Sequence, residues 1–241
     1  MTLVPKQLTQ CLVIIVASLL LGHVAAKTVT FLGYDISNLT RLVDVDEENN
    51  LPSWYSSSAL LLASFLLLII GFSKKRDGDR YAFHWLALSA IFLYLSIDEA
   101  ASIHEMAIYP IRSAIPRYTS GYLYYAWVIP GSLFGLSVLL MNLRFLAHLP
   151  ISTRRLFLLG GAVYVVGALG IEMLSAKFDT VYGYQGLTFS LIVAAEEGCE
   201  MFGIVIFIHA LSSYIASHLK DAFCIANWDV EHYAAPRRIR T

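Results

Sequence analysis

Charge is scarce in this sequence: 15% of its 241 residues are Asp, Glu, Lys or Arg, where a soluble domain carries about a quarter. That scarcity excludes an ordinary water-facing globular surface for most of the chain. Cysteine is scarce as well. Cys11, Cys199 and Cys224 lie far apart and form no CxxC pair, so neither a disulfide framework nor a zinc finger is supported. The net charge of -1 leaves no global basic field, and nucleic acid is not an expected partner. Glycine-rich phosphate loops, a serine nucleophile elbow and HExxH are missing. So are the HxxxH and HxxHH boxes of histidine-rich membrane oxygenases. No internal repeat argues for an inverted-repeat transporter.

What the chain has instead is apolar length, with 57% hydrophobic residues. Segments near 9–27, 55–73, 82–105, 122–143, 156–174 and 187–214 each approach the roughly 20 residues that cross a bilayer. The expected fold is therefore an all-α integral membrane protein, a polytopic bundle of about six transmembrane helices. Residues 1–218 would form one helical domain and 219–241 a short cytoplasmic tail. The first segment also fits a signal peptide, with Lys6 before the apolar run and Val24-Ala25-Ala26 as a cleavage site. Cleavage there would leave five spans.

The connections alternate in charge. Lys6, the run Lys74-Lys75-Arg76, Arg144, Arg154, Arg155 and the tail arginines Arg237, Arg238 and Arg240 fall on one side. Asp44, Asp46, Glu47 and Glu48 fall on the other. The positive-inside rule then predicts cytoplasmic termini, in a bacterial inner membrane. The lipid bilayer is the expected partner, with membrane-protein subunits as further candidates.

Within this apolar frame the acids are conspicuous. The third segment ends in Asp98-Glu99-Ala100-Ala101-Ser102-Ile103-His104-Glu105, and the sixth carries Glu196-Glu197-Gly198-Cys199-Glu200. Ionisable groups are costly in lipid and mark functional sites by default. On a straight helix at about 100° per residue, Asp98, Ser102 and Glu105 share a face at about 0°, 40° and 340°. His104 falls near about 240°, so bringing it to Asp98 requires a bend. Glu196 and Glu200 share a face with Gly203, and Gly198 and Gly203 invite close helix approach. With Glu172, seven carboxylates are expected in the outer half of the membrane. Arg112, Arg117 and Lys177 are the nearest cations by sequence.

Uncompensated buried carboxylates are prohibitive, so protons, water or a cation must balance them. Such a donor set suits hard or borderline cations. The leading expectation is a metal-dependent membrane enzyme acting on a lipophilic small molecule from the outer side. Asp98, Glu99 and Glu196 would be its acid/base groups. Glu99, His104, Glu172, Glu197 and Glu200 would hold one or two divalent Fe or Mn ions. Two other functions compete, a proton- or cation-conducting transporter component and a non-catalytic subunit of a membrane complex. Each acid also has a plainer reading, as the solvated end of a span or as a protonated group bonding helix to helix.

Overall fold

The computed structural model describes residues 5–219, and every regular element among them is helical. The long helices are α1 (Pro5–Phe31), α3 (Leu51–Arg76), α4 (Ala82–Ala101), α6 (Val128–His148), α7 (Ile151–Val165) and α9 (Leu187–His218). Short helices α2 (Ser37–Val43) and α5 (Ile108–Ala114) lie in connections, and α8 (Glu172–Tyr182) continues α7 through a π-helical segment, Val166–Ile171. The expected tail from residue 220 onwards, with Arg237, Arg238 and Arg240, lies outside the described residues.

Four helices are long and apolar enough to cross a membrane: Pro5–Phe31, Leu51–Arg76, Val128–His148 and the continuous Ile151–Tyr182. The pair Ala82–Ala101 and Glu105–Ala114, bent by 73°, raises this to five. The expected count of six is not reached on this measure. The missing member is α9, a central helix whose buried residues run from Phe189 to Ile215. Helices α1, α3 and α9 outrun the apolar segments that suggested them, because polar first and last turns continue the backbone ladder, whereas α4 ends four residues early at its bend. Before α3, Asn50 accepts from Ser53 N and its own N–H donates to Ser53 Oγ, both at 3.1 Å. This reciprocal cap starts the helix four residues earlier than hydropathy suggests. Lys74, Lys75 and Arg76 in the last turn suit the negative end of the helix dipole.

Helix α9 is the axis of the bundle. On one side, α1 runs antiparallel to it, joined by Thr9 with His209 Nδ1 (2.7 Å) and by His23 Nε2 with the Ser190 carbonyl (3.2 Å). On the other, α7 crosses at backbone contact. A Cβ on Gly203 would lie 2.7 Å from Tyr164 N, and one on Gly160 would lie 2.9 Å from the Gly203 carbonyl. Small residues make that approach possible. Helices α3 and α4 form an antiparallel pair with two reciprocal serine rungs. Ser57 and Ser96 each donate to the other's carbonyl at 2.8 Å, and Ser64 and Ser89 do so at 2.8 and 2.9 Å. Seven residues further on, Gly71 sits against Leu86, so Ser57, Ser64 and Gly71 make a heptad seam. Helix α6 touches its neighbours chiefly at its ends, where Val128 and Phe145 are buried. Its middle leaves Leu133, Leu136, Leu140 and Met141 exposed.

This packing gives the bundle two unlike ends. Lys74 lies over Tyr214, and Trp85 packs on Phe145, Phe157 and Tyr214. The basic connections and both described chain termini therefore share one end. The acid-bearing segments share the other.

Candidate functional site

The site begins with the bend. Helix α4 stops at Ala101, and Ser102 adopts a left-handed backbone with φ 48°. Asp98 closes the turn: Oδ1 accepts the His104 N–H at 2.8 Å, and Oδ2 lies 3.0 Å from His104 Nδ1. A carboxylate accepts only, so Nδ1 is the donor and Nε2 is left facing away. The straight-helix placement of His104 away from Asp98 is thus overturned. The bend wraps the backbone around the Asp98 side chain and carries His104 onto it.

From there the polar contacts continue across the bundle. The His104 ring packs on Trp127 at 4.6 Å between centroids, and Trp127 Nε1 donates to Glu172 Oε1 at 2.7 Å. The Glu172 and Glu196 segments are joined here through Ser175. Ser175 Oγ lies 3.0 Å from Glu196 Oε2 and 2.9 Å from the Glu172 carbonyl. The π-helical segment sets this junction, since it places Gly167 where a Cβ would lie 2.7 Å from the Glu196 carbonyl and 2.9 Å from Glu200 Cγ. Such π segments recur at functional sites. Cys199 packs on the same glycine, as a small core residue.

A small pocket lies beside these contacts. Tyr55, Glu99, Tyr164 and Glu200 line a partly open cavity of about 10 Å³, room for about one water. Tyr55 is 8% exposed, yet its hydroxyl has no hydrogen-bond partner among the described residues. Ser56, Ala59, Leu60, Met201 and Ile204 complete the lining, with no Lys or Arg. Below it, buried Ala63, Leu67, Ile70, Ile208 and Leu211 form an apolar floor.

The connection from α2 to α3 forms the roof. His23 is 0% exposed; its Nδ1 lies 3.1 Å from Asp44 Oδ1 and 3.2 Å from Val45 N. Lys27 forms an ion pair with Asp44. Burial alone would raise the Asp44 carboxyl, but bonds from His23 and Lys27 and the charge of Lys27 outweigh it and hold it below its ordinary range. This clasp leaves Glu48 over the bend, facing Ser102 and Glu105. Burial first, and then the charge of Glu105, push the Glu48 carboxyl up, and its Oε2 is buried without a partner among the described residues.

The expected acids are therefore brought to one end of the bundle, five of them in pairs: Asp98 with His104, Glu172 with Glu196 through Ser175, and Glu99 with Glu200 across the cavity, while Glu105 and Glu197 stand outside these pairs. Among the described residues no three or more His, Cys, Asp or Glu side chains are grouped to hold a metal ion. The residues anticipated for an inter-helix cation site, Glu99, His104, Glu172, Glu197 and Glu200, are divided among separate contacts here. The bend diverts His104 to Asp98 and Trp127, and Glu197 sits about 100° around the helix from Glu196. Arg112 and Lys177, the anticipated counter-charges, instead lie over Tyr124 at 3.8 Å and Tyr122 at 4.6 Å. Lys27, at the end of the first apolar run, serves Asp44 in the roof. Tyr55, Tyr164, Trp127, Ser175 and His23 were missed in the sequence. Each is a lone polar group on an apolar helix or loop, and only the acids packed beside them give them meaning.

Fold and site together define an all-helical protein with four or five membrane-length helices around a paired-carboxylate pocket at one end. Residues 11–215 match the family described as Domain of unknown function (DUF8692), and the chain belongs to that family. The matched range includes every residue of the pocket. No curated protein and no solved structure matches the chain.

Proposed function

We propose that the chain is a multi-pass membrane protein, and that its acid end is the site of a cation-dependent enzyme acting on a lipophilic substrate. The observation that carries this reading is the cavity between α3, α4, α7 and α9. Glu99 and Glu200 face it from different helices with no basic side chain in its lining. Two carboxylates at such a place favour a cation between them. Glu99 and Glu200 would hold a divalent ion such as Fe or Mn, with Glu197 within reach on the same helix. Tyr55 and Tyr164 would orient a water or substrate oxygen, and the ion would supply Lewis-acid polarisation. The Asp98–His104 pair has the form of an oriented base, with its carboxylate fixing the tautomer.

Access supports a lipophilic substrate. The exposed middle of α6 leaves an apolar flank beside α4, where Tyr94 and Phe134 approach to 6.3 Å. The apolar floor argues against a polar path through the bundle, and so against conduction. The basic end would face the cytoplasm of a bacterial inner membrane by the positive-inside rule, with the acid end outside.

Metal analysis of gently purified full-length protein tests the reading. Stoichiometric transition metal is expected, reduced several-fold in Glu200→Gln and Glu99→Gln. Metal-free, folded protein would overturn it. A second reading, a proton-exchanging acid site of a membrane complex, is favoured by the buried Ser175 that joins Glu196 Oε2 to the Glu172 carbonyl. Neighbouring buried carboxyl groups do not readily ionise together. Proton uptake by reconstituted metal-free protein, lost in Glu196→Gln, would select this second reading.

A further inference from the structure

At the end of the bundle opposite the acids, the α3–α4 connection and the last turns of α6 enclose an open depression of about 800 Å³. Arg80, Tyr81, His84, Arg144 and His148 line it, and no carboxylate does. Its cationic and aromatic groups are held against one another. The Arg80 guanidinium lies 4.7 Å over the Tyr81 ring, and Tyr81 packs on His148 at 4.8 Å and on His84 at 5.1 Å. Buried Phe145 backs this stack, 5.5 Å from His84 and 5.9 Å from Tyr81. His84 Nδ1 is buried and has no hydrogen-bond partner among the described residues.

The nearby acids are already engaged. Asp79 accepts the Tyr81 N–H at 2.8 Å and faces Lys74 at 3.8 Å, and Asp77 lies 3.8 Å from Arg76. Helix α4 starts beside the depression at Ala82, so the positive end of its dipole lies there.

We propose that this depression binds a phosphate group, presented by an anionic lipid headgroup or as free phosphate. Two guanidinium forks match phosphate oxygens in a bidentate manner, and His84 and His148 add donors when protonated. Exposed Leu136, Leu140 and Met141 continue from the depression along α6, a track that an acyl chain would cover. This site is independent of the acid end, 20 residues of α4 away.

The test uses the full chain in mild detergent, with thermal unfolding and phosphorus content as paired readouts. The probes are phosphatidylglycerol, phosphatidylcholine and inorganic phosphate. Phosphatidylglycerol is expected to raise the melting temperature above phosphatidylcholine, and to bind roughly tenfold or more weakly to the R80Q/R144Q double variant. The control variant K75Q/R155Q removes two exposed charges at the same end and is expected to keep the response. Should inorganic phosphate alone reproduce the shift, the site holds and its ligand is the free ion. Equal responses to the two lipids with none to phosphate, an unaltered R80Q/R144Q variant, or an equal loss in K75Q/R155Q would each overturn the proposal. Both arginines are exposed, so the double variant is expected to fold, and its melting temperature without lipid reports that directly.

Discussion

Tyr55 and Glu48 carry the cleanest consequences at the scale of single residues. The Tyr55 hydroxyl is buried without a partner among the described residues, an arrangement that costs about 1–3 kcal/mol. Tyr55→Phe is therefore expected to unfold at a higher temperature than the parent while lowering activity at the acid end, because the hydroxyl waits for a bound group. An unchanged or lower melting temperature would show that the hydroxyl is already satisfied. Glu48 makes a pH prediction. Burial and Glu105 raise its carboxyl, so the folded state holds that proton more tightly than the unfolded chain. Its ionisation weakens folding as pH rises from the unfolded value, about 4.3, through the raised folded value. Glu48→Gln is accordingly expected to stabilise the protein modestly at pH 7 and to lose that advantage below about pH 4. Thermal unfolding at the two pH values decides it.

Among the elements, the contact between α7 and α9 is the least forgiving. Gly203 and Gly160 bring two backbones together, so a methyl group has no flexible neighbour to displace. Gly203→Ala is expected to cost about 1–3 kcal/mol by overpacking, measured as a fall in unfolding temperature. Gly161 has nothing within 4 Å of an added Cβ, and Gly161→Ala should be neutral or slightly stabilising. The element that sequence reading placed least well is the end of α4. Periodicity on a straight helix set His104 apart from Asp98, and the bend reversed that. A left-handed residue such as Ser102 carries no glycine signal, so nothing local announced the turn. Asp98, by contrast, was legible as important, and its carboxylate proves to be the group that closes the bend.

For the whole molecule, the unlike ends give the remaining prediction. A cysteine placed at Asn49 in a background lacking Cys11, Cys199 and Cys224 is expected to react with a membrane-impermeant thiol reagent from outside intact cells. One placed at Arg76 is expected to react only after lysis. Equal labelling at both, or the reverse pattern, would overturn the proposed orientation. The segregation itself was written in the sequence. Apolar length and alternating loop charge depend only on local composition, so they fixed the helical class and which connections share an end. Pairing depended on something else. Whether Glu99 meets Glu200, whether Glu172 meets Glu196, and whether Lys27 or Arg112 supplies the counter-charge are decided by side chains hundreds of atoms apart along the chain. Only the close glycine contacts, the π segment and the bend at Ser102 bring those groups to one end and one pocket. Composition thus determined that acids would gather at one end, and packing decided that most of them would do so in pairs.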